Sequence, residues 1–236
     1  SNPIPPKVLE AISKDEALNK ANSQSIQEDI IFEDEEMNYL YEEAKKYGKE
    51  IHIPIALMMY GGMRVSEALA VQVKNIDMKK GTIQVTKQTK ALRKSKHGKS
   101  KGLVPPKTAN SVRTLPLPNE VAQILLDGRY ENKDEFLFTQ ANGDYAVKKN
   151  WSNTYMNKFL KKIGLWEKFK AQPNHLLRKY YGSKKILEGV PNHVVAKWMG
   201  TSVTVLETTY AKELATIEKS YYQTEVNVTN GVTNAI

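Results

Sequence analysis

The chain has no cysteine among its 236 residues. That excludes disulfides, a thiolate nucleophile and any zinc site built on cysteine. Long apolar runs are missing too. The longest, IHIPIALMMYGGM, is interrupted by His52 and Pro54 and is too short to span a bilayer. The N-terminal SNPIPPK lacks the apolar core of a secretory signal. There is no glycine-rich nucleotide-binding loop and no clustered set of Asp, Glu and His. What remains is an ordinary globular composition, 40% hydrophobic and 26% charged, with length enough for a sizeable core.

The most informative absence is of negative charge. From Met78 to Asn119 there is no acid, while Lys79, Lys80, Lys87, Lys90, Arg93, Lys94, Lys96, Lys99, Lys101, Lys107 and Arg113 supply eleven bases. That exceeds the +9 net charge of the whole chain. The first 50 residues run the other way, with twelve acids against six bases. A stretch so basic repels itself unless an anion binds there. A solvated loop is the plain alternative. Nucleic acid is the favoured partner, and a membrane surface is disfavoured because no amphipathic anchor accompanies the patch.

Punctuation along the chain points to an α+β fold, mainly helical. Residues 1–29 read as a polar linker and residues 30–212 as one domain, with a helix and polar tail over 213–236. FEDEEMNYLYEEAKKYG carries acids first, bases last and Gly48 after them, which suits a helix and its dipole. IHIPIALMMY reads as a buried helix stopped by Gly61-Gly62, and RVSEALAVQV as its restart. TIQVTKQT and SVRTLPLP read as two strands of a small antiparallel sheet, joined by the long basic loop as a hairpin. Further helices are expected in NEVAQILLDG, KKNWSNTYMNKFLKKIG, PNHLLRKYYGSKKILEG and PNHVVAKWMG, with a short strand in EFLFTQANGDY.

Three short stretches bear on chemistry. In PNHLLRKYY, His175 and Arg178 are three apart and share a helix face, with Asn174 expected as the N-cap. A helix start with an arginine and a titratable imidazole can hold an anion, or the two can be plain surface groups. In YGGMRVSEAL, Arg64 follows a buried segment, so it must pair with an acid such as Glu67 or bind an anion. In PPKTANSVRTLPLP, Lys107 precedes a strand behind the stiff Pro105-Pro106. Finally, MGTSVTVLETTYAK offers Tyr210, which either packs or reacts.

Taken in order, G-G-x-R-x-S-E, a lysine before a strand ending P-L-P, H-x-x-R, and G-x-S with a tyrosine ten residues after its glycine, the chain resembles the catalytic domain of tyrosine recombinases, the phage-type integrases. The resemblance runs from about Phe32 to Tyr210. It implies that family's fold, a small antiparallel sheet or hairpin packed on a helical core. It also implies that residues 1–29 follow a separate core-binding domain, and that the segment after Tyr210 docks on a neighbouring protomer. Two positions depart from the family pattern. Thr201 stands where histidine or tryptophan is usual, and Lys179 stands where a histidine is usual.

The activity implied is breakage and rejoining of double-stranded DNA through a 3′-phosphotyrosine, in a phage or mobile element. Tyr210 would be the nucleophile, Arg64 and Arg178 the phosphate clamps, His175 the base or an aid to it, and Lys107 the general acid. Thr201 would donate a hydrogen bond to the phosphate, and Glu67 would orient Arg64. Lys87, Lys90, Arg93, Lys94, Lys96, Lys99, Lys101 and Arg113 would contact the DNA backbone. No cofactor and no metal are implied, since arginines and a lysine carry the charge. The implied assembly is a monomer when free and a homotetramer on DNA in the bacterial cytoplasm, away from membranes, with accessory DNA-bending or directionality proteins as further partners. Two other readings use the same residues: a type IB topoisomerase-like relaxation enzyme, and a DNA-binding module whose site has decayed.

Overall fold

The computed structural model of the chain describes residues 34–91, 101–106, 111–128, 130–140, 143–211 and 214–215. The expected linker at the start and nearly all of the expected tail lie outside them.

Helix α1 (Asp34–Tyr47) opens with Asp34, Glu35 and Glu36 and closes with Lys45 and Lys46, matching its dipole at both ends. Helix α2 (Lys49–Met59) follows at once and is buried nearly all round, with Ile51, Ile53, Pro54, Ile55, Ala56, Leu57, Met58 and Met59 inside. A helix apolar on every side belongs at the centre of a domain, and α2 packs against α1, the turn at Val65–Ala68 and the helices Asn119–Asp127 and Pro173–Leu187. The restart at α3 (Val65–Ala68) is one turn only. RVSEALAVQV was expected to restart the helix throughout. Instead Glu67, Ala68, Leu69, Ala70 and Val71 are all buried, and the chain bends through turns that bury each of them rather than one stripe. A 3-10 turn (Val73–Asn75) leads on to the sheet.

Strands β1 (Ile76–Asp77), β2 (Thr82–Val85) and β5 (Arg113–Pro116) form an antiparallel sheet in the order β1-β2-β5, with Ile83 opposite Leu115 and Val85 opposite Arg113. The connection between β2 and β5 is not merely a loop. It holds its own hairpin, β3 (Gln88–Ala91) and β4 (Lys101–Val104), paired from Gln88–Val104 to Ala91–Lys101. That hairpin packs beside α3. Its connecting residues 92–100 lie outside the described residues.

Helix α4 (Asn119–Asp127) lays Val121 and Ile124 on the core. The strand expected in EFLFTQANGDY is reduced to one bridge, Gln72 to Phe136. The next helical stretch is interrupted: α5 (Lys148–Trp151) passes through a π-turn (Ser152–Met156) into α6 (Asn157–Lys162). A short α7 (Trp166–Phe169) leads to α8 (Pro173–Leu187), α9 (Asn192–Met199) and α10 (Val203–Thr209). The N-cap of α8 is Gln172 rather than Asn174, because Pro173 takes the first helical position, where its missing N–H costs nothing. Asn174 instead turns inward and donates to Ser152 Oγ at 2.7 Å in the π-turn.

Pro54 inside α2 and Trp151 on α5 are linked physically. Proline has no N–H to give the carbonyl four residues back, which is that of Glu50. The fully buried Trp151 indole N–H donates to this carbonyl at 2.8 Å. A core tryptophan thus closes the gap that a helix proline opens. Trp151→Phe should therefore cost about 1–3 kcal/mol through the orphaned carbonyl, in addition to lost packing. Adding Pro54→Ala, which restores a backbone donor, should recover part of that loss. Urea unfolding of the two variants is the measurement.

Candidate active site

Two apolar clusters meet along α8. The larger holds α1, α2, the sheet and the start of α8, through Leu177 and Tyr180. The smaller holds Tyr181, Ile186, Val195, Ala196, Met199, Leu206 and Tyr210. Arg178 sits between them and is buried, which a guanidinium tolerates only when its N–H groups find acceptors.

Those acceptors come from the end of α9. The helix closes in a left-handed turn at Gly200, φ 63°, with Gly200 N–H bonded to Lys197 O and Thr201 N–H to Ala196 O. That leaves three consecutive carbonyls pointing out of the helix end. Trp198 O accepts from Arg113 Nε at 2.5 Å, Met199 O from Arg178 Nη2 at 2.6 Å, and Gly200 O from Arg64 Nη2 at 2.7 Å. Three cations thus gather at the negative end of one helix dipole. Glycine is required at position 200 on two counts. The turn is left-handed, and a Cβ would lie 2.9 Å from Arg113 Nη1.

Arg178 is fixed a second time, by Nη1 to Gly62 O at 2.6 Å. Arg64 leaves the GG turn as the N-cap of α3, and its Nη1 pairs with Glu67 Oε1 at 2.9 Å. Glu67 Oε2 accepts from Arg113 Nη2 at 2.9 Å and from the Arg64 backbone N–H at 3.0 Å. Burial pushes the Glu67 carboxyl up, but the Arg113 hydrogen bond and charge, with Arg64, outweigh it and hold the group below the usual carboxylate range. Arg178 is lowered to about 10, first by burial and then by the nearby Arg64 charge, so it remains a cation at neutral pH. The Arg64 side chain is the open one, 40% exposed.

His175 lies one turn before Arg178 on α8 and is exposed. Partial desolvation of its ring, and then the charges of Arg178, Lys179 and Lys148, push the imidazole below its ordinary value. Thr201 follows Gly200 directly and is half-buried. Tyr210 caps the end of α10 and is buried, its ring in the smaller cluster. Its hydroxyl oxygen is 2.3 Å from where a Cβ on Gly182 would stand. Gly182 is four residues on from Arg178, so the phenol oxygen rests on α8 one turn along the helix from the Arg178 position. Sequence reasoning passed over Gly182. A glycine in the middle of a helix costs about 1 kcal/mol against alanine, and that cost was the available signal of a close approach.

Among the expected DNA contacts, Lys87 and Lys90 are exposed, and strand alternation turns Thr89 inward and Lys90 out. Lys101 begins β4. Lys107, Arg93, Lys94, Lys96 and Lys99 lie outside the described residues. Arg113 must be corrected. It was expected on the DNA backbone, but its side chain is 2% exposed and all three of its nitrogens bond within the protein, the third being Nη1 to Ser111 O at 3.0 Å. The reason is strand period. Arg113 shares its face of β5 with Leu115, which points into the core, whereas Val112 is the exposed neighbour. A surface cleft of about 640 Å³ lined by Glu50, Tyr130, Asp134 and Phe136 contains none of these groups.

The fold and this arginine-rich helix end define a class. The chain belongs to the phage integrase family, whose sequence profile matches residues 31–215. It is 28% identical over 191 residues to a XerC-like tyrosine recombinase of Caldanaerobacter subterraneus subsp. tengcongensis, a match covering 72% of this chain and 47% of that protein. The chain therefore spans about half the length of that curated relative. Among solved structures it resembles the Tn1549 transposon integrase in complex with transposon right end DNA, with TM-score 0.62 and 17% identity over 82% of this chain and 65% of that one. It also resembles XerA recombinase, with TM-score 0.59 and 14% identity over 84% of this chain and 65% of that one. At these identities the likeness is one of fold.

Glu67 and Arg113 are each 2% exposed in the side chain, so truncating one strands the other's charge. Glu67→Ala is expected to destabilise the protein by about 3–5 kcal/mol. Chemical denaturation at neutral pH measures it.

Proposed function

We propose that the chain is the catalytic part of a site-specific DNA recombinase that cuts and rejoins double-stranded DNA through a 3′-phosphotyrosine, in a phage or mobile element. The observation that carries this reading is the convergence of Arg64 and Arg178 on adjacent carbonyls, with the Tyr210 oxygen one helix turn from Arg178.

The chemistry follows from those groups. A scissile phosphodiester binds against Arg64 and Arg178, whose planar forks match its non-bridging oxygens. Tyr210 Oη attacks phosphorus and the bond to the 5′-oxygen breaks. The phenol proton passes to His175, which is neutral at pH 7 because its imidazole is lowered. Lys107 protonates the departing 5′-oxygen. A second 5′-hydroxyl then reverses the step. One phosphodiester replaces another, so no nucleotide hydrolysis is needed. Preorganised donors at the charged transition state are each worth about 3–4 kcal/mol. Thr201, next in sequence to Gly200, donates one further hydrogen bond to the phosphate, in the position where the family usually has an imidazole or indole.

Tyr210 is 3% exposed, so the segment that bears it must shift to meet a phosphate. Helix α10 suits that role, since Leu206 is its one buried residue. Exposed Lys87 and Lys90 on the hairpin side bind backbone phosphates without reading sequence. On DNA the protein assembles as a homotetramer, which couples release of the tyrosine to synapsis, and DNA-bending or directionality proteins assist there.

The test is covalent trapping on a pool of nicked duplexes randomised around the nick. Wild type should give a protein–DNA adduct stable to denaturant, and Tyr210→Phe should give none. Retarded mobility with no adduct anywhere in the pool would leave only a DNA-binding module. Plasmid relaxation without a partner site would indicate the topoisomerase-like reading.

The pH dependence has a definite sign. The base must be unprotonated and its pKa lies below 6.5, so adduct formation should be flat through neutrality and fall only as pH drops below that value. His175→Gln should lower the plateau and remove this acid limb. Single-turnover rates from pH 5 to 8 measure both effects.

A further inference from the structure

Arg113 is bound to the site without being exposed to it. Its three nitrogens reach three separate pieces of chain: the Trp198 carbonyl at the end of α9, the Ser111 carbonyl before β5, and the Glu67 carboxylate on α3. Glu67 in turn holds Arg64 by both the backbone N–H and the guanidinium. The Trp198 carbonyl lies two residues before Gly200, whose own carbonyl holds Arg64 from the other side. Arg113 is thus the common anchor of both contacts that aim Arg64. It also fixes the turn that carries Thr201 and the Met199 carbonyl used by Arg178.

We infer that Arg113 is a positioning residue for the strand-cleavage step. It acts through Glu67 and the Trp198 carbonyl on Arg64, and it does not touch DNA. The inference rests on the recombinase reading above. A guanidinium is suited to the task because one rigid planar group serves three acceptors in different directions. A lysine at 113 would keep the charge beside Glu67 but could not bridge all three elements. The Gly200 turn and Arg64 would then lose their common reference, and misplacement of a phosphate clamp by about 1 Å costs on the order of a hundredfold in rate.

The experiment compares wild type with Arg113→Lys on nicked duplexes that the wild type has selected from the randomised pool. Three quantities are read: the unfolding midpoint, the DNA dissociation constant across a salt series, and the single-turnover rate of adduct formation. The expected result is a folded variant with unchanged affinity and salt slope whose adduct forms at least about tenfold more slowly. If Arg113→Lys does not fold, the pair Arg113→Met with Glu67→Gln removes both buried charges together. It should fold, bind DNA with unchanged salt slope and still cleave slowly. A folded variant that cleaves within about twofold of wild type overturns the inference. So does a salt slope reduced by about one, which would mean that Arg113 contacts a phosphate directly. No adduct from the wild type over the whole pool overturns the recombinase reading itself and this inference with it. That outcome is seen in the wild-type reaction alone.

Discussion

Everything at the candidate site depends on how α9 ends. A helix terminus leaves carbonyls without intrahelical donors. Here the left-handed turn at Gly200 disposes of two of them within the backbone, and the next three go to Arg113, Arg178 and Arg64 in succession. The three arginines come from β5, from α8 and from the turn before α3, so one helix end draws together three distant pieces of sequence. Close-packed cations would normally repel one another. The aligned peptide dipoles and the single carboxylate of Glu67 offset part of that repulsion, and an anion would offset the rest.

Much of the fold was legible because periodicity and caps agree over long stretches. The dipole-matched α1, the all-apolar α2, and α8 and α9 with their glycine or proline punctuation all lie where pattern reading put them. The failures have local causes. RVSEALAVQV carries helix-forming residues throughout, yet tertiary burial of every position from Glu67 to Val71 outweighs propensity after one turn. EFLFTQANGDY looks like a strand and a turn, but among the described residues it forms a single bridge, Phe136 to Gln72. The basic connection looked like an unpaired loop because its lysines hide the pairing of Gln88–Ala91 with Lys101–Val104.

The site was partly legible as well. Motif order linked Arg64, His175, Arg178 and Tyr210, and in the folded chain Arg64 and Arg178 meet at neighbouring carbonyls while His175 and the seat of Tyr210 flank Arg178 on one helix. Composition misled at Arg113. Inside an acid-free segment every base looks like a DNA contact, and the two-residue period shared with Leu115 is the finer signal that separates it from the exposed lysines. Charge density reports which segment faces an anion. It does not report which side chain within that segment has turned inward.

Gly182 gives α8 an inverted scale of preference. In the interior of an α-helix alanine is ordinarily the safest occupant and glycine, after proline, the worst. At this one position the smallest possible increment, a methyl group, would occupy the volume of a phenol oxygen 2.3 Å away. The missing side chain lets the Tyr210 ring lie flush against the helix there. A gain in helix stability at 182 would therefore come at the expense of the resting place of the Tyr210 phenol oxygen.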